Sequence, residues 1–332
     1  MLDINKIYNM DCFEGLKLLD DNSVDLTVTS PPYDNLRTYG DTCEWNFDIF
    51  KKIAQELYRV TRKGGVIVWV VGDACLDGSE TGSSFRQALY FKDLGMKLHD
   101  TMIYEKNSST FPARANSKRY SQIFEYMFVF TKGKIRNDIK LIADKKNKWA
   151  GWSNWGTKLE KSIKPVPEFS LRNNLWKYSV GFNDKTGHPA VFPEKLAEDH
   201  ILSWSVEGDV VLDPFMGSGT TAKAAMLTKR NFLGFEKNKE YCDVAVARIE
   251  KYRDVLKKET LSITEMQGEI LQYEPNEESD LSEKITIYNK LIEELNDYMN
   301  TQSATSLKSL CFAFKSKAND IKIEKLKTVK II

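Results

Sequence analysis

The chain has few cysteines and no pattern among them. Cys12, Cys43, Cys75, Cys242 and Cys311 are scattered over 332 residues, and no two stand as C-x-x-C. That spacing indicates neither a zinc site nor a disulfide framework, and it makes a reducing cytoplasm the expected compartment. Apolar runs of about 18 residues, the length of a membrane span, are absent. The opening MLDINKIYNMDCFEGL lacks the basic-then-apolar layout of a secretory leader. A charge excess is lacking too: 48 Lys and Arg stand against 47 Asp and Glu. The total therefore points to no partner.

What is present is the composition of a soluble globular protein, 42% hydrophobic and 29% charged. The length suits one large domain with appendages, or two domains. The charge is uneven along the chain. Lys134 to Lys185 carry about twelve Lys and Arg against about five Asp and Glu. Trp149, Trp152, Trp155 and Trp176 lie in the same stretch. Basic residues interleaved with aromatics suit a nucleic-acid surface, and equally a solvated basic face over a small Trp-centred core.

Residues 1–133 alternate short apolar runs with amphipathic ones. Val24–Thr29 reads as a buried strand ending at Ser30-Pro31-Pro32. Phe47 to Val60 has helical spacing through Phe50, Ile53, Ala54, Leu57 and Val60, and Arg62–Gly65 breaks it. Val66–Val71 is a second buried strand, Ser84 to Leu94 a further helix. Met102–Tyr104 and Glu125–Thr131 suit the arms of a late β-pair. Residues 134–187 lose this regularity and read as an inserted module. From 188 to 255 the α/β pattern returns: a strand at Val210–Leu212, a helix opening at Thr220, a strand at Asn231–Phe235 and a helix from Tyr241 to Val255. The alternation predicts an α/β fold with a mostly parallel sheet covered by helices on both faces. Residues 256–332 read as a helical extension packed on the core; a clamp or dimerisation element is the second reading. Within it an acidic stretch, about ten acids and two lysines over 262–300, precedes a basic one, about seven lysines and two acids over 305–332.

Two motifs carry chemistry. Asp213-Pro214-Phe215-Met216-Gly217-Ser218-Gly219-Thr220-Thr221 follows a strand and opens a helix. Glycines there let backbone approach a ligand, and a helix N-terminus offers free N–H groups. The motif falls short of G-x-G-x-x-G and no G-K-[ST] follows, so a tight structural turn is about as good a reading from spacing alone. Glu236, about 20 residues on at a strand end, suits a pair of ribose hydroxyls. The second motif is Thr29-Ser30-Pro31-Pro32-Tyr33. Two prolines fix an extended turn and remove two N–H donors. The Ser30 hydroxyl and the Pro31 carbonyl could then accept from one amino group, with Tyr33 stacked on a planar ring.

Together, in this order, the two motifs resemble the amino-methyltransferases of bacterial restriction–modification systems, in particular their β class. The resemblance spans about residues 4–253. Asn9-Met10-Asp11-Cys12, Gly64-Gly65, Gly72-Asp73, Phe124-Glu125-Tyr126 through Gly133, and His188-Pro189-Ala190-Val191-Phe192-Pro193-Glu194-Lys195-Leu196 add to it. It implies a Rossmann-like methyltransferase fold with a seven-stranded sheet, a late antiparallel hairpin and a circularly permuted motif order. Residues 1–133 would form the catalytic half, 134–187 the target recognition module and 188–255 the cofactor half.

The resemblance implies S-adenosyl-L-methionine as cofactor. Asp11 and Cys12 would hold its adenine and Glu236 its ribose. Pro193, Leu196, Phe215, Gly217, Ser218, Gly219, Thr220 and Thr221 would surround the methionine end, and Asp213 would order the loop. Ser30, Pro31, Pro32 and Tyr33 would be catalytic. The substrate would be double-stranded DNA with a flipped base, contacted by Arg114, Arg119, Arg136, Lys145, Lys146, Lys148, Arg172 and Lys177. A serine at position 30 leans to cytosine N4, with adenine N6 as the alternative. RNA or protein amide methylation, a silent nucleic-acid binder and a nicotinamide oxidoreductase are further readings; the last would leave Ser30–Tyr33 unexplained. Cytosine C5 chemistry needs a thiolate, and none of the five cysteines follows a proline. No metal is implied. A cognate restriction endonuclease and a homodimer are compatible partners, in a bacterial or archaeal cytoplasm.

Overall fold

The computed structural model describes residues 2–32, 45–107, 118–152, 165–179 and 193–272, with side chains up to 255. The chain divides into two compact units, 1–255 and 256–332; of the second, helical backbone up to Gln272 is described. In chain order the elements are β1 (Lys6–Asn9), α1 (Cys12–Lys17), β2 (Val24–Thr29), α2 (Phe47–Val60), β3 (Thr61–Val71), the short pair β4 (Cys75–Leu76) and β5 (Ser79–Glu80), and α3 (Ser83–Asp93). Then come β6 (Lys97–Lys106), β7 (Phe124–Thr131), β8 (Lys145–Lys146), β9 (Phe169–Ser170), β10 (Leu175–Tyr178), α4 (Glu194–Trp204), β11 (Val210–Asp213), α5 (Thr220–Leu227), β12 (Asn231–Glu236) and α6 (Lys239–Gln272).

One sheet of eight strands runs in the order β1-β12-β11-β2-β3-β7-β6-β10. Its neighbours are parallel except where β7 pairs with β3 and with β6. The expected hairpin is therefore β6–β7. The sheet has one strand more than expected among the described residues. The extra one is β10, from the stretch read as a separate module, laid parallel on β6 with Trp176 opposite Tyr104. Its two-residue alternation is too short to stand out in sequence.

The sheet is buried on both faces, which is why its strands read as near-continuous apolar runs. Along β3, Val66, Val68 and Val70 pack with Leu196, Ile201, Ala222 and Ala225 of α4 and α5. Ile67, Trp69 and Val71 pack on the other face with Leu16 of α1, Phe50, Ile53 and Leu57 of α2, and Phe91 of α3. The apolar stripe expected on Phe47–Val60 is the buried face of α2, and Asn46 caps that helix by accepting from the amides of Asp48 and Ile49 at 3.0 Å each.

The Arg62–Gly65 break is a bulge inside β3 rather than a connecting loop. Thr61 and Val66 lie opposite Val24 and Leu26, so four residues oppose Asp25 alone. Gly65 is required there: a Cβ would lie 2.9 Å from the Asp25 carbonyl. The bulge brings Arg62 onto Asp25, and Arg136 joins the same cluster. Its guanidinium donates to Asp25 at 3.1 Å and to Asp138 at 2.9 Å, and reaches Asp209 at 3.0 Å. Burial pushes the Asp25 carboxyl up to about 6; the Val210 amide opposes this, Asp209 adds to it and Arg136 again opposes it.

Candidate active site at the carboxyl ends of the parallel strands

In a parallel α/β sheet the carboxyl ends of neighbouring strands form one rim, the usual place for ligands. Register puts the ends of β1, β12, β11 and β2 side by side. Asn9 is level with Glu236, Asp213 with Gly234, and Leu212 with Thr27. The strands of such a pair lie about 4.8 Å apart. The turn that begins at Ser30 and the loop that begins at Pro214 therefore leave adjacent strands at the same rim.

Asp213 ties them together. Its Oδ1 accepts from the Thr29 hydroxyl at 2.6 Å and the Phe215 amide at 3.0 Å, and its Oδ2 accepts from the Thr221 hydroxyl at 2.7 Å. One carboxylate thus joins the end of β2, the glycine loop and the first turn of α5. Burial pushes its carboxyl up to about 6, against the pull of Thr29, Thr221 and the Phe215 amide.

The loop itself is held on two sides. On one, the Gly217 amide donates to Glu236 Oε2 and the Asn238 amide to Oε1, each at 2.8 Å. Burial raises the Glu236 carboxyl, and these backbone donors restrain the rise. On the other side, Arg248 of α6 donates to the Ser218 carbonyl at 3.0 Å and to Glu194 at the start of α4. Lys223 donates to the second Glu194 oxygen at 2.6 Å. Burial would raise the Glu194 carboxyl, but Lys223 and Arg248 outweigh it and hold it low. Gly219 enters α5 at φ +84°, where a Cβ would also lie 3.1 Å from that of Ala245. It offers no side-chain cap to the helix. Arg248 and Lys223 have no signal in the sequence, since a separation of 25 residues carries no periodicity, and Glu194 stands in the run from His188 to Leu196 without a role of its own.

The remaining expected residues fall as follows. Pro31 is buried, with Ser30 and Pro32 half-buried, directly after β2. Tyr33 lies outside the described residues. Asp11 caps α1 by accepting from the Phe13 amide at 2.9 Å, and Cys12 is buried behind it. Asn9 Nδ2 donates to the Glu236 carbonyl at 2.9 Å, which draws Asp11 and Glu236 to one corner of the rim. Ser218, Thr220 and Thr221 are buried. Phe215 turns edge-on to Trp45, with ring centroids 5.5 Å apart. Pro193 is the N-cap of α4, while the Leu196 side chain is wholly buried in the core beneath it.

The expected DNA contacts divide. Arg136 and Arg172 are both ion-paired within the fold, Arg136 as above and Arg172 to Asp144 and Asp199. Lys177 pairs with Glu105 at 2.5 Å, and Arg119 bonds the Gly78 carbonyl and faces Glu80 at 3.8 Å. Lys145, Lys146 and Lys148 lie in the β8 segment, where Lys145 and Lys146 are exposed. Arg114 lies outside the described residues. Among the described residues no group of His, Cys, Asp or Glu could hold a metal, and no helix is long and apolar enough to cross a membrane.

Comparison with known proteins agrees with this geometry. Residues 24–247 match the N6_N4_Mtase family model, described as DNA methylase. The orphan methyltransferase M.BamHII of Bacillus amyloliquefaciens is 55% identical over 250 residues, 70% of this chain and 91% of that protein. The type II methyltransferase M.BglII of Bacillus subtilis is 32% identical over 255 residues, 73% of this chain and 68% of that protein. Among solved structures, a DNA modification methylase of Thermus thermophilus complexed with S-adenosyl-L-methionine superposes with a TM-score of 0.52 at 25% identity, covering 74% of this chain and 95% of that one. The cytosine-N4-specific PvuII DNA methyltransferase shares the fold, with a TM-score of 0.56 at 24% identity over 76% of this chain and 91% of that one.

Proposed function

The chain belongs to the N6_N4_Mtase family of S-adenosylmethionine-dependent DNA methyltransferases, and on that premise we propose that it methylates the exocyclic N4 of cytosine in double-stranded DNA. The observation that carries the reading is the Asp213 tie, which fixes the Ser30 turn beside the glycine loop.

An exocyclic base amine is a poor nucleophile because its lone pair is delocalised into the ring. Ser30 Oγ and the Pro31 carbonyl would each accept one of its N–H groups, draw the nitrogen toward tetrahedral geometry and aim its lone pair. Tyr33 would stack on the base. Alignment of this kind can supply about 7–11 kcal/mol of a barrier in good intramolecular cases. The base must leave the duplex first, at a cost of a few kcal/mol. No covalent enzyme intermediate is involved.

The rim suits the cofactor. Glu236, positioned by two backbone donors, offers carboxylate oxygens to a diol. Asp11 and Cys12 sit at the same corner for the adenine, and the α5 N-terminus begins without a side-chain cap beside Gly217 and Gly219 for the methionine end. When bound, S-adenosylmethionine supplies a methyl on a positively charged sulfur. Asp213 shapes the loop rather than reacting, since its three hydrogen bonds are all internal.

Serine as the first residue of the Ser30–Tyr33 motif favours cytosine over adenine, where Asp or Asn is the usual starter. The membership in a family of bacterial DNA-acting enzymes supports a cytoplasmic site of action and a restriction–modification setting. Mass spectrometry of nucleosides from DNA of cells expressing the chain tests the choice of base. The expected product is N4-methylcytosine; N6-methyladenine without it would overturn the assignment.

A further inference from the structure

The half of the rim away from the glycine loop holds a buried ion pair. Lys106, the last residue of β6, lies 2.5 Å from Glu125 of β7, and only 15% and 12% of the two side chains are exposed. An apolar pair of similar size would serve the fold as well or better, because the cost of taking two charges out of water is often larger than their attraction. The ammonium is also under-used. Lys132, a buried lysine with a structural part, donates to the Tyr58 and Thr61 carbonyls at 2.7 Å each and to Asn22 at 3.0 Å. Among the described residues Lys106 has Glu125 as its one carboxylate partner, with the Tyr104 ring centroid 6.0 Å away. An ammonium carries three donors, so Lys106 has donors to spare.

Register sets where that ammonium stands. Side chains alternate between the two faces along a strand. Val28, Val70, Met127 and Tyr104 belong to the core on the α4 and α5 face. Two positions nearer the rim on those four strands stand Ser30, Gly72, Glu125 and Lys106. Thr29 lies opposite Trp69, Val71 opposite Tyr126 and Glu125 opposite Tyr104. Glu125 is therefore two strands across from Ser30 and two residues further out. At about 4.8 Å per strand and 3.3 Å per residue, their backbones are roughly 12 Å apart. Gly72, between them, carries no side chain. The gap suits one base ring held from both sides by hydrogen bonds of about 3 Å.

We infer that Lys106, aimed by Glu125, selects the target base by donating to the ring nitrogen beside its amino-bearing carbon, N3 in cytosine, while Ser30 and the Pro31 carbonyl hold the amine. Flipped bases are read on this edge. Cytosine and adenine both have an acceptor nitrogen at that ring position, whereas thymine and guanine have an N–H there. An ammonium has donors and no acceptor, so it satisfies the first two and opposes the last two donor to donor. Glu125 keeps the ammonium charged and pointed. The inference rests on the DNA-methyltransferase reading above. It does not rest on the choice of cytosine, because adenine N1 would meet the same donor.

The test uses the full chain and a synthetic duplex whose target base is located by modification-sensitive sequencing of DNA from expressing cells. In a second duplex that cytosine is 3-deazacytosine, which keeps the amine and has C–H in place of the ring acceptor. Single-turnover transfer from tritiated S-adenosylmethionine is measured on both. The preference of the parent for cytosine, divided by that of Lys106→Met, cancels the analogue's own reactivity. That quotient is expected to be about 10 to 100, the range for a hydrogen bond to a charged group. Lys106→Met leaves the Glu125 charge buried without its partner, so Lys106→Met/Glu125→Gln is measured beside it and is expected to fold as the parent does by circular dichroism and to give the same quotient. A quotient near one in the folded double variant would overturn the role of Lys106. A shallower salt dependence of duplex binding beside it would place the lysine on a phosphate instead. If the product is N6-methyladenine, the choice of base fails, and 1-deazaadenine decides Lys106 in the same way. Absence of transfer to any DNA would overturn the activity and this role with it.

Discussion

Replacing Asp213 by asparagine separates a structural carboxylate from a catalytic one. The folded chain pushes this carboxyl from 3.8 up to about 6, mainly through burial. The folded state therefore holds the proton more tightly than the unfolded state. The corresponding stability is fully present below pH 4 and is lost as pH rises through 6. A shift of roughly two units corresponds to about 3 kcal/mol of cost at pH 8. Asparagine removes the charge and keeps one oxygen for the Thr29 hydroxyl and the Phe215 amide. Its amide nitrogen can donate to Thr221 Oγ1, whose own proton can turn to the Val28 carbonyl at 3.4 Å. Asp213→Asn is thus expected to be at least as stable as the parent at pH 8, by up to about 3 kcal/mol, and to lose that advantage near pH 4. Asp213→Ala leaves two hydroxyls and an amide without their acceptor and is expected to cost about 3 kcal/mol or more. Urea denaturation followed by circular dichroism at pH 4.5, 6 and 8 reads all three chains. An asparagine variant less stable than the parent at pH 8, with an unchanged pH slope, would refute the reasoning.

Other outcomes follow from the same rim and the opposite edge. Ser30→Ala is expected to lower kcat about 10- to 1000-fold with cofactor affinity unchanged, because it removes one acceptor from the reacting amine; single-turnover kinetics and calorimetry check it. Glu236→Gln is expected to weaken S-adenosylmethionine binding at least tenfold by calorimetry, since a carboxylate accepts from a diol better than an amide does. Gly219→Ala is expected to destabilise by about 1–2 kcal/mol, from the left-handed φ and the Ala245 contact, read as a lowered urea midpoint. Arg136→Ala should cost about 2–3 kcal/mol, below the usual 3–5 for a broken buried pair because Arg62 remains on Asp25. It should leave the salt dependence of DNA binding unchanged, which separates it from the exposed Lys145, Lys146 and Lys148.

The elements that could be read from sequence are those whose pattern is long and one-sided. Phe47–Val60 showed its face because five apolar residues repeat at helical spacing over nearly four turns. Val66–Val71 showed itself because a strand buried on both faces is a continuous apolar run. The two motifs were legible because prolines and glycines mark backbone that must turn sharply. What sequence hid depends on distant partners. Arg136 and Arg172 looked like free charges until the fold placed Asp25, Asp209, Asp144 and Asp199 against them. Arg248, Lys223 and Glu194 meet only because three helices converge on one loop. β10 is four residues long, with Trp176 its buried position, and it joins the sheet through β6 about 70 residues earlier.

The most direct measurement is a crystal structure of the chain with S-adenosylhomocysteine and a duplex carrying its methylation site. The account expects the target base turned out of the helix, its exocyclic nitrogen about 3 Å from both Ser30 Oγ and the Pro31 carbonyl, and the cofactor sulfur on the Gly217–Gly219 side of that nitrogen. A base held elsewhere on the rim, or a cofactor in a crevice away from Asp213 and Glu236, would contradict it.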